Sequence, residues 1–268
     1  MQELAKTIMP LLSEHGNNIT LNEKLFARIK AVYEQKAQAN LTPEQNKLLE
    51  KVYNSFVRSG ANLEGEAKEQ YRALSKELSL LTLQFGENNL KETNDYKLVL
   101  TDPAQLAGLP QSAIDAAAET AKEKGVEGWV FTLQAPSYSP FMTYASNRDL
   151  RCKLYMAYNT KCTHDNETNN LEIVKKLVNT RLAIAQLLGY SSFAEYNLQE
   201  RMAENSGNVY KLLDQLLDAY TPTAKQEYAE VEALARQLEG SDFTVMPWDW
   251  SYYCLLYTSP SPRDAHES

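Results

Sequence analysis

The 268-residue chain carries 27 basic and 35 acidic side chains, a net charge of −8, with 43% apolar and 23% charged residues. That length can bury one large core or two small ones, and the mixture is that of an ordinary globular protein. An acidic surface without a run of Lys or Arg repels phosphate backbones and anionic lipid, which argues against nucleic acid and membrane as partners.

The opening MQELAKTIMPLL lacks the basic start, apolar middle and small-residue cleavage site of a signal peptide, and no apolar run is long enough to span a bilayer. It predicts an amphipathic helix already under way, with Leu4, Ile8, Leu11 and Leu12 on one face, as though the chain began inside a longer protein. His15 precedes Gly16 at the expected helix end, where a cationic ring suits the carbonyl dipole. Thr20 with Glu23 predicts a capping box for a second helix whose stripe is Leu25, Ile29, Val32 and Tyr33. Thr42, Pro43 and Gln45 repeat that start signal, and Gly60 marks the stop.

A long helix is expected over about residues 64–92, its seam built from Tyr71, Leu74, Leu78, Leu81 and Phe85. A hairpin of helices explains that seam better than a partner-binding zipper. The alternating stretches DYKLVLT (95–101) and GWVFTLQAP (128–136) predict a small two-stranded sheet, with an Ala-rich helix between them ending at Gly125. After Pro140 helices resume: Leu150, Leu154 and Tyr158 share one face, and another long helix ends before Gly189. A still longer one starts at SGNVY, and Pro222 should kink it or restart it. The fold class is mostly α: long packed helices with a possible small two-stranded sheet.

Side chains able to do chemistry are few. Cys152, Cys162 and Cys254 form no CxxC pair and are expected as free thiols. His164 sits between Cys162 and Asp165 in a polar loop, but metal binding needs convergent partners that the sequence does not supply, so a surface loop is the better reading. Glu227, Glu230 and Glu232 look like a solvated helix face, and neither a GxSxG elbow nor a phosphate-cradling glycine loop occurs. Residues 138–158 interleave Tyr138, Phe141, Tyr144, Tyr155 and Tyr158 with Arg148 and Arg151. Such a mixture can line a groove that grips a peptide or its carboxylate terminus. An aromatic helix interface accounts for it more simply. No catalytic, metal or substrate-binding residue is assigned on this reading.

Four stretches in order, FVRSGANL (56–63), YASNRDLRCKLYMAYNTK (144–161), RLAIAQLLGYSSFAEYNLQERMA (181–203) and MPWDWSYY (246–253), resemble the thimet oligopeptidase-like zinc metallopeptidases, above all the bacterial peptidyl-dipeptidases. The resemblance implies a helical, two-lobed parent around a deep channel, a monomer that hydrolyses short peptides and releases C-terminal dipeptides. It implies one zinc, held by the two histidines of an HExxH helix and a later glutamate, with the motif's own glutamate as general base. It also implies a cytoplasmic enzyme, or else a periplasmic one. This chain contains no HExxH. Residues 1–253 therefore match the helical, non-catalytic portion of such a peptidase, expected to bind no zinc and to be inactive alone. The other reading is a non-catalytic helical peptide-binding module.

The ending departs from that pattern. CLLYTSPSPRD (254–264) resembles the conceptual translation of a transposase-type sequencing adapter over eleven consecutive residues. Residues 254–268 are thus expected to be an unstructured artefact. His266-Glu267 is not expected to be half of a zinc motif, since the Ser/Pro run before it cannot build the required helix.

Overall fold

The computed structural model describes residues 2–258. Among them, eleven α-helices and one two-stranded sheet divide into two compact units, Met1–Glu87 with Asn170–Tyr210, and Asn88–Asn169 with Lys211–Ser268. The chain divides where the sequence reading drew no boundary. Of the three crossings, 87/88 and 210/211 fall inside helices and 169/170 in the polar loop before residue 171, and no Gly/Pro linker marks any of them.

In the first unit, α1 (Gln2–Thr20) leads into α2 (Glu23–Glu34) and α3 (Pro43–Arg58). Two expectations fail at the α1/α2 junction. Gly16 does not stop α1, so His15 lies within the helix, exposed. Thr20 is not a cap; its hydroxyl donates to the Gly16 carbonyl one turn back (3.1 Å), and Asn22 caps α2 by accepting from the Leu25 N–H (2.9 Å). Either side chain can take the role, and the backbone selects the residue that has left the helical region. At α3 the expected box forms in full, with Thr42 and Gln45 exchanging side-chain bonds. Gly60 ends α3 at φ +85°. Phe26 lies stacked between Tyr53 and Phe56 of α3, at 5.8 and 6.2 Å. Its burial, with Leu21, gives this unit part of its core.

Helix α4 (Gly65–Asp95) carries the expected seam, half-buried from Tyr71 to Leu81, with Phe85 left exposed. Helix α8 (Leu171–Leu187) turns Leu177, Ile184 and Ala185 inward and is followed by the short α9 (Phe193–Leu198), which the sequence reading does not contain.

The second unit is built around the sheet. β1 (Leu98–Leu100) pairs antiparallel with β2 (Trp129–Phe131), Val99 opposite Val130, and α5 (Gln111–Glu123) crosses between them. Both strands are shorter than the alternation predicts. After Phe131 the chain turns into α6 (Ala135–Tyr144), which starts before Pro140 and contains it. Pro136 falls in the first turn, where its missing N–H costs nothing, and the Ser137 hydroxyl accepts from the Thr132 N–H (2.9 Å). Leu98, Leu100, Phe131, Leu133, Phe141 and Leu154 form the core, the last from α7 (Arg148–Asn159).

Gly128 sits at φ +93°, and a Cβ there would lie 2.1 Å from the Leu100 carbonyl oxygen. Gly128→Ala is expected to destabilise by on the order of 3 kcal/mol, from steric overlap and the left-handed backbone together. A chemical denaturation midpoint checks this, and no change would remove the strand contact from the account.

Helix α10 (Ser206–Glu239) passes Pro222 without interruption, so the expected restart does not occur. Pro222 lies on an exposed face, where the carbonyl it leaves unbonded can be met by water. Helix α11 (Trp250–Thr258) corrects the reading of the ending: residues 254–258 are helical, not unstructured. The run CLLYT holds no Gly or Pro to halt a helix nucleated at Trp250. Residues 259–268, His266 among them, lie outside the described residues.

Candidate functional site

In the second unit, two of the four sequence motifs meet through charge. Arg148 and Arg151 project from one face of α7, three residues apart, below an Asn147 cap that accepts from the Leu150 N–H. Between Trp248 and Trp250, Asp249 is wholly buried and precedes α11, accepting the Tyr253 N–H on its carbonyl (3.0 Å). Arg148 straddles the carboxylate: its Nε lies 3.1 and 3.0 Å from the two oxygens, and Nη2 donates to Oδ2 at 2.7 Å. Arg151, 1% exposed, donates from Nη2 to Oδ1 (2.9 Å) and from Nη1 to the Ala145 carbonyl (2.7 Å). The Met246 N–H adds a further bond to Oδ2 (3.0 Å). The guanidinia also stack on rings, Arg148 on Phe243 and Arg151 on Tyr252, at 4.3 and 4.2 Å.

Burial by itself would raise the Asp249 pKa. The bonds from Arg148, Met246 and Arg151 outweigh it and hold the carboxyl below the usual carboxylate range. Every acceptor position is occupied by this chain's own donors, which marks a structural clamp rather than a reactive carboxylate.

In the first unit the other two motifs meet in the same way. Arg58, at the end of α3, donates to the Tyr196 carbonyl (2.7 Å) and to Gln199 Oε1 (2.8 Å), and it stacks on the Tyr196 ring at 4.3 Å. Tyr196 returns its hydroxyl to the Arg58 carbonyl (3.1 Å). Each pair of motifs is therefore one contact written twice along the chain.

The aromatic side chains of residues 138–158 pack on one another and on their neighbours rather than lining a groove. Phe141 is buried edge-on against Phe131 (4.6 Å), Tyr138 stacks on Tyr158 (4.3 Å), and Tyr155 meets Trp248 at 6.2 Å. Burial, then the neighbouring Tyr155 and Tyr158, push the Tyr138 phenol up to about 12. Tyr144 is left exposed. Arg148 does border a 680 Å³ hollow, but Glu239 and Asp242 share its wall and oppose an incoming peptide carboxylate.

Of the remaining candidates, His164 and Cys162 share one neighbour, Glu92. Exposed His164 has Nε2 3.3 Å from the Thr160 hydroxyl and 3.7 Å from Glu92 Oε1. Glu92 also accepts from the N–H of buried Cys162 (2.6 Å), whose thiol is pushed up to about 11, first by burial and then by that carboxylate. Asp165 is exposed. Cys152, Cys162 and Cys254 are free thiols. Glu227 is exposed, Glu232 pairs with Arg236 (3.1 Å), and Glu230 accepts from Gln226 and Tyr257. Among the described residues no three His, Cys, Asp or Glu side chains come together as a group that could hold a metal ion. Among the same residues no helix is long and apolar enough to cross a membrane.

Comparison with known proteins decides the family. Residues 141–263 match the model of peptidase family M3. Oligopeptidase A of Haemophilus influenzae is 32% identical over 257 residues, 94% of this chain and 38% of the relative. Oligopeptidase A of Escherichia coli is 33% identical over the same shares. Dipeptidyl carboxypeptidase of Escherichia coli is 31% identical over 254 residues, 94% of this chain and 37% of the relative. The chain belongs to the thimet oligopeptidase/peptidyl-dipeptidase family, M3. This M3 chain spans little more than a third of the length of those relatives. The Arg148–Asp249 contact lies wholly within the matched stretch, and Arg58 lies before it. The sequence reading singled out Arg148 and Arg151 as possible groove members but preferred a helix interface for them, without seeing their acidic partner. The signal for their partner was a lone acid between two tryptophans, a place where a charge needs a strong reason to be buried.

Proposed function

We propose that this chain is the helical, non-catalytic portion of a zinc metallopeptidase whose whole protein hydrolyses short oligopeptides and releases C-terminal dipeptides. The observation that carries the reading is that similarity to oligopeptidase A and dipeptidyl carboxypeptidase runs over 94% of the chain. The Arg58 and Arg148/Arg151 contacts support it, because they give the resembling motifs a common structural purpose. Zinc, the water it activates and the general base would be supplied by parts of the whole protein outside this chain. Residues 1–253 would serve as the scaffold, and residues 254–268 would not be native to it. The whole protein would act on peptides as a monomer in the cytoplasm, with no nucleic acid or membrane partner.

Two assays test this. The purified chain with a quenched peptide and added zinc should give no turnover above buffer, whereas stoichiometric zinc uptake with cleavage would defeat the reading. The whole protein, expressed from native DNA continuing past codon 253, should release dipeptides from peptide C-termini. Internal cleavage only would keep the peptidase and remove the dipeptide specificity.

A further inference from the structure

The 680 Å³ hollow beside Arg148 is walled by the end of α10 and by residues 240–246, which follow it. That segment is held by three side chains of the same unit. Arg236 Nε donates to the Phe243 carbonyl (3.2 Å), Arg148 Nη2 to the Thr244 carbonyl (2.9 Å), and the Tyr228 hydroxyl to the Val245 carbonyl (3.4 Å). Phe243 meets the Arg148 guanidinium at 4.3 Å and the Tyr253 ring at 5.5 Å. A hollow braced in this way is formed before any ligand arrives, so little ordering opposes binding.

Three charges on its wall have bonding capacity to spare. Arg148 commits Nε and Nη2 to Asp249 and Thr244, and its Nη1 meets no protein acceptor among the described residues. Glu239 accepts from the Tyr253 hydroxyl on Oε1 (2.9 Å) and Asp242 from Ser241 on Oδ1 (3.2 Å). The second oxygen of each carboxylate meets no donor among the described residues. The wall therefore offers a planar donor to a carboxylate and two acceptors to an ammonium. Its acids oppose the lone carboxylate of a long peptide. A molecule short enough to bring its own ammonium turns the same acids from repulsive to attractive.

We infer that this hollow binds a small zwitterion of the size of a free dipeptide, its carboxylate on Arg148 and its ammonium on Glu239 and Asp242. The proposed function would make dipeptides a released product, but the charges on the wall stand without that reading.

The test follows amide resonances of the isotope-labelled 268-residue chain at neutral pH as alanyl-alanine is added at millimolar concentration. Saturable shifts are expected at Gly240, Ser241 and Thr244. N-acetyl-alanyl-alanine and alanyl-alanine amide, each lacking one charge, are expected to bind more weakly by about threefold or more, the scale of one exposed ion pair. Glu239→Gln combined with Asp242→Asn should weaken the unblocked dipeptide by a similar factor, since each amide keeps an oxygen to receive its hydroxyl partner and only charge is lost. No saturable shift at the three residues, or equal affinity for the three ligands, overturns the site. So does a double variant that binds alanyl-alanine as tightly as the native chain. A whole protein that releases no dipeptides defeats the proposed function and leaves these results in place, so the two readings fail separately.

Discussion

Asp249→Ala is expected to lower stability by about 3–5 kcal/mol, the range for stripping one partner from a buried ion pair. Arg151, 1% exposed, would keep its charge but lose the carboxylate that offsets its desolvation. The Ala145, Ser146 and Trp248 carbonyls that remain are dipoles and do not replace it. Arg148→Ala should cost less, because its side chain is 39% exposed and water can take over. Urea denaturation of the three proteins checks the order. Equal losses would mean that burial is not what makes the cluster matter. Replacing Arg148, Arg151 and Asp249 together by apolar residues of similar volume should recover part of the loss, since no orphan charge is left.

The same cluster sets an acid dependence. Asp249 has a folded pKa below the ordinary carboxylate value of about 3.9, so its contribution is complete above that pH. It is lost as pH falls through the depressed folded value. The stability gap between the native chain and Asp249→Asn should therefore be constant from neutral pH down to about 5 and narrow below about 4. A gap that widened on acidification would reverse the sign and refute the ion pair.

Phe141→Ala is expected to cost about 3–5 kcal/mol. Its ring is fully buried, meets Phe131 edge-on and touches the layer that joins the sheet to α7. Tyr144→Ala, on the exposed end of α6, should change stability by less than about 1 kcal/mol. The pair separates two meanings of the aromatic run. A groove that grips peptides would lose binding at Tyr144 and tolerate change at Phe141, whereas a helix interface shows the reverse pattern in stability.

The helix boundaries show how far local rules reach. At α3, Thr42, Pro43 and Gln45 all favour one start, and the structure uses it. At α2, Thr20 and Asn22 are both able to cap, and packing of Leu21 and Phe26 decides which residue leaves the helix. Pro222 has one reading in isolation and another in a long exposed helix, where water can serve the carbonyl it frees. The short α9 had no periodicity to be seen by. It is held by Ser192, whose hydroxyl accepts from the Glu195 N–H, and by Arg58 from far away in the chain.

By itself the sequence determined the helical class, the antiparallel pair of strands, the family and the lack of an HExxH, because these depend on residue type, period and order along the chain. What only the tertiary structure decided is where the charges go. Arg148 and Arg151 read as members of a helix interface or, less simply, of a groove, and their partner is unseen until Asp249, about a hundred residues later, closes on them. The same holds for Arg58 and Tyr196. Such pairings carry no local signature, since desolvation of a charge is settled by what the fold brings beside it.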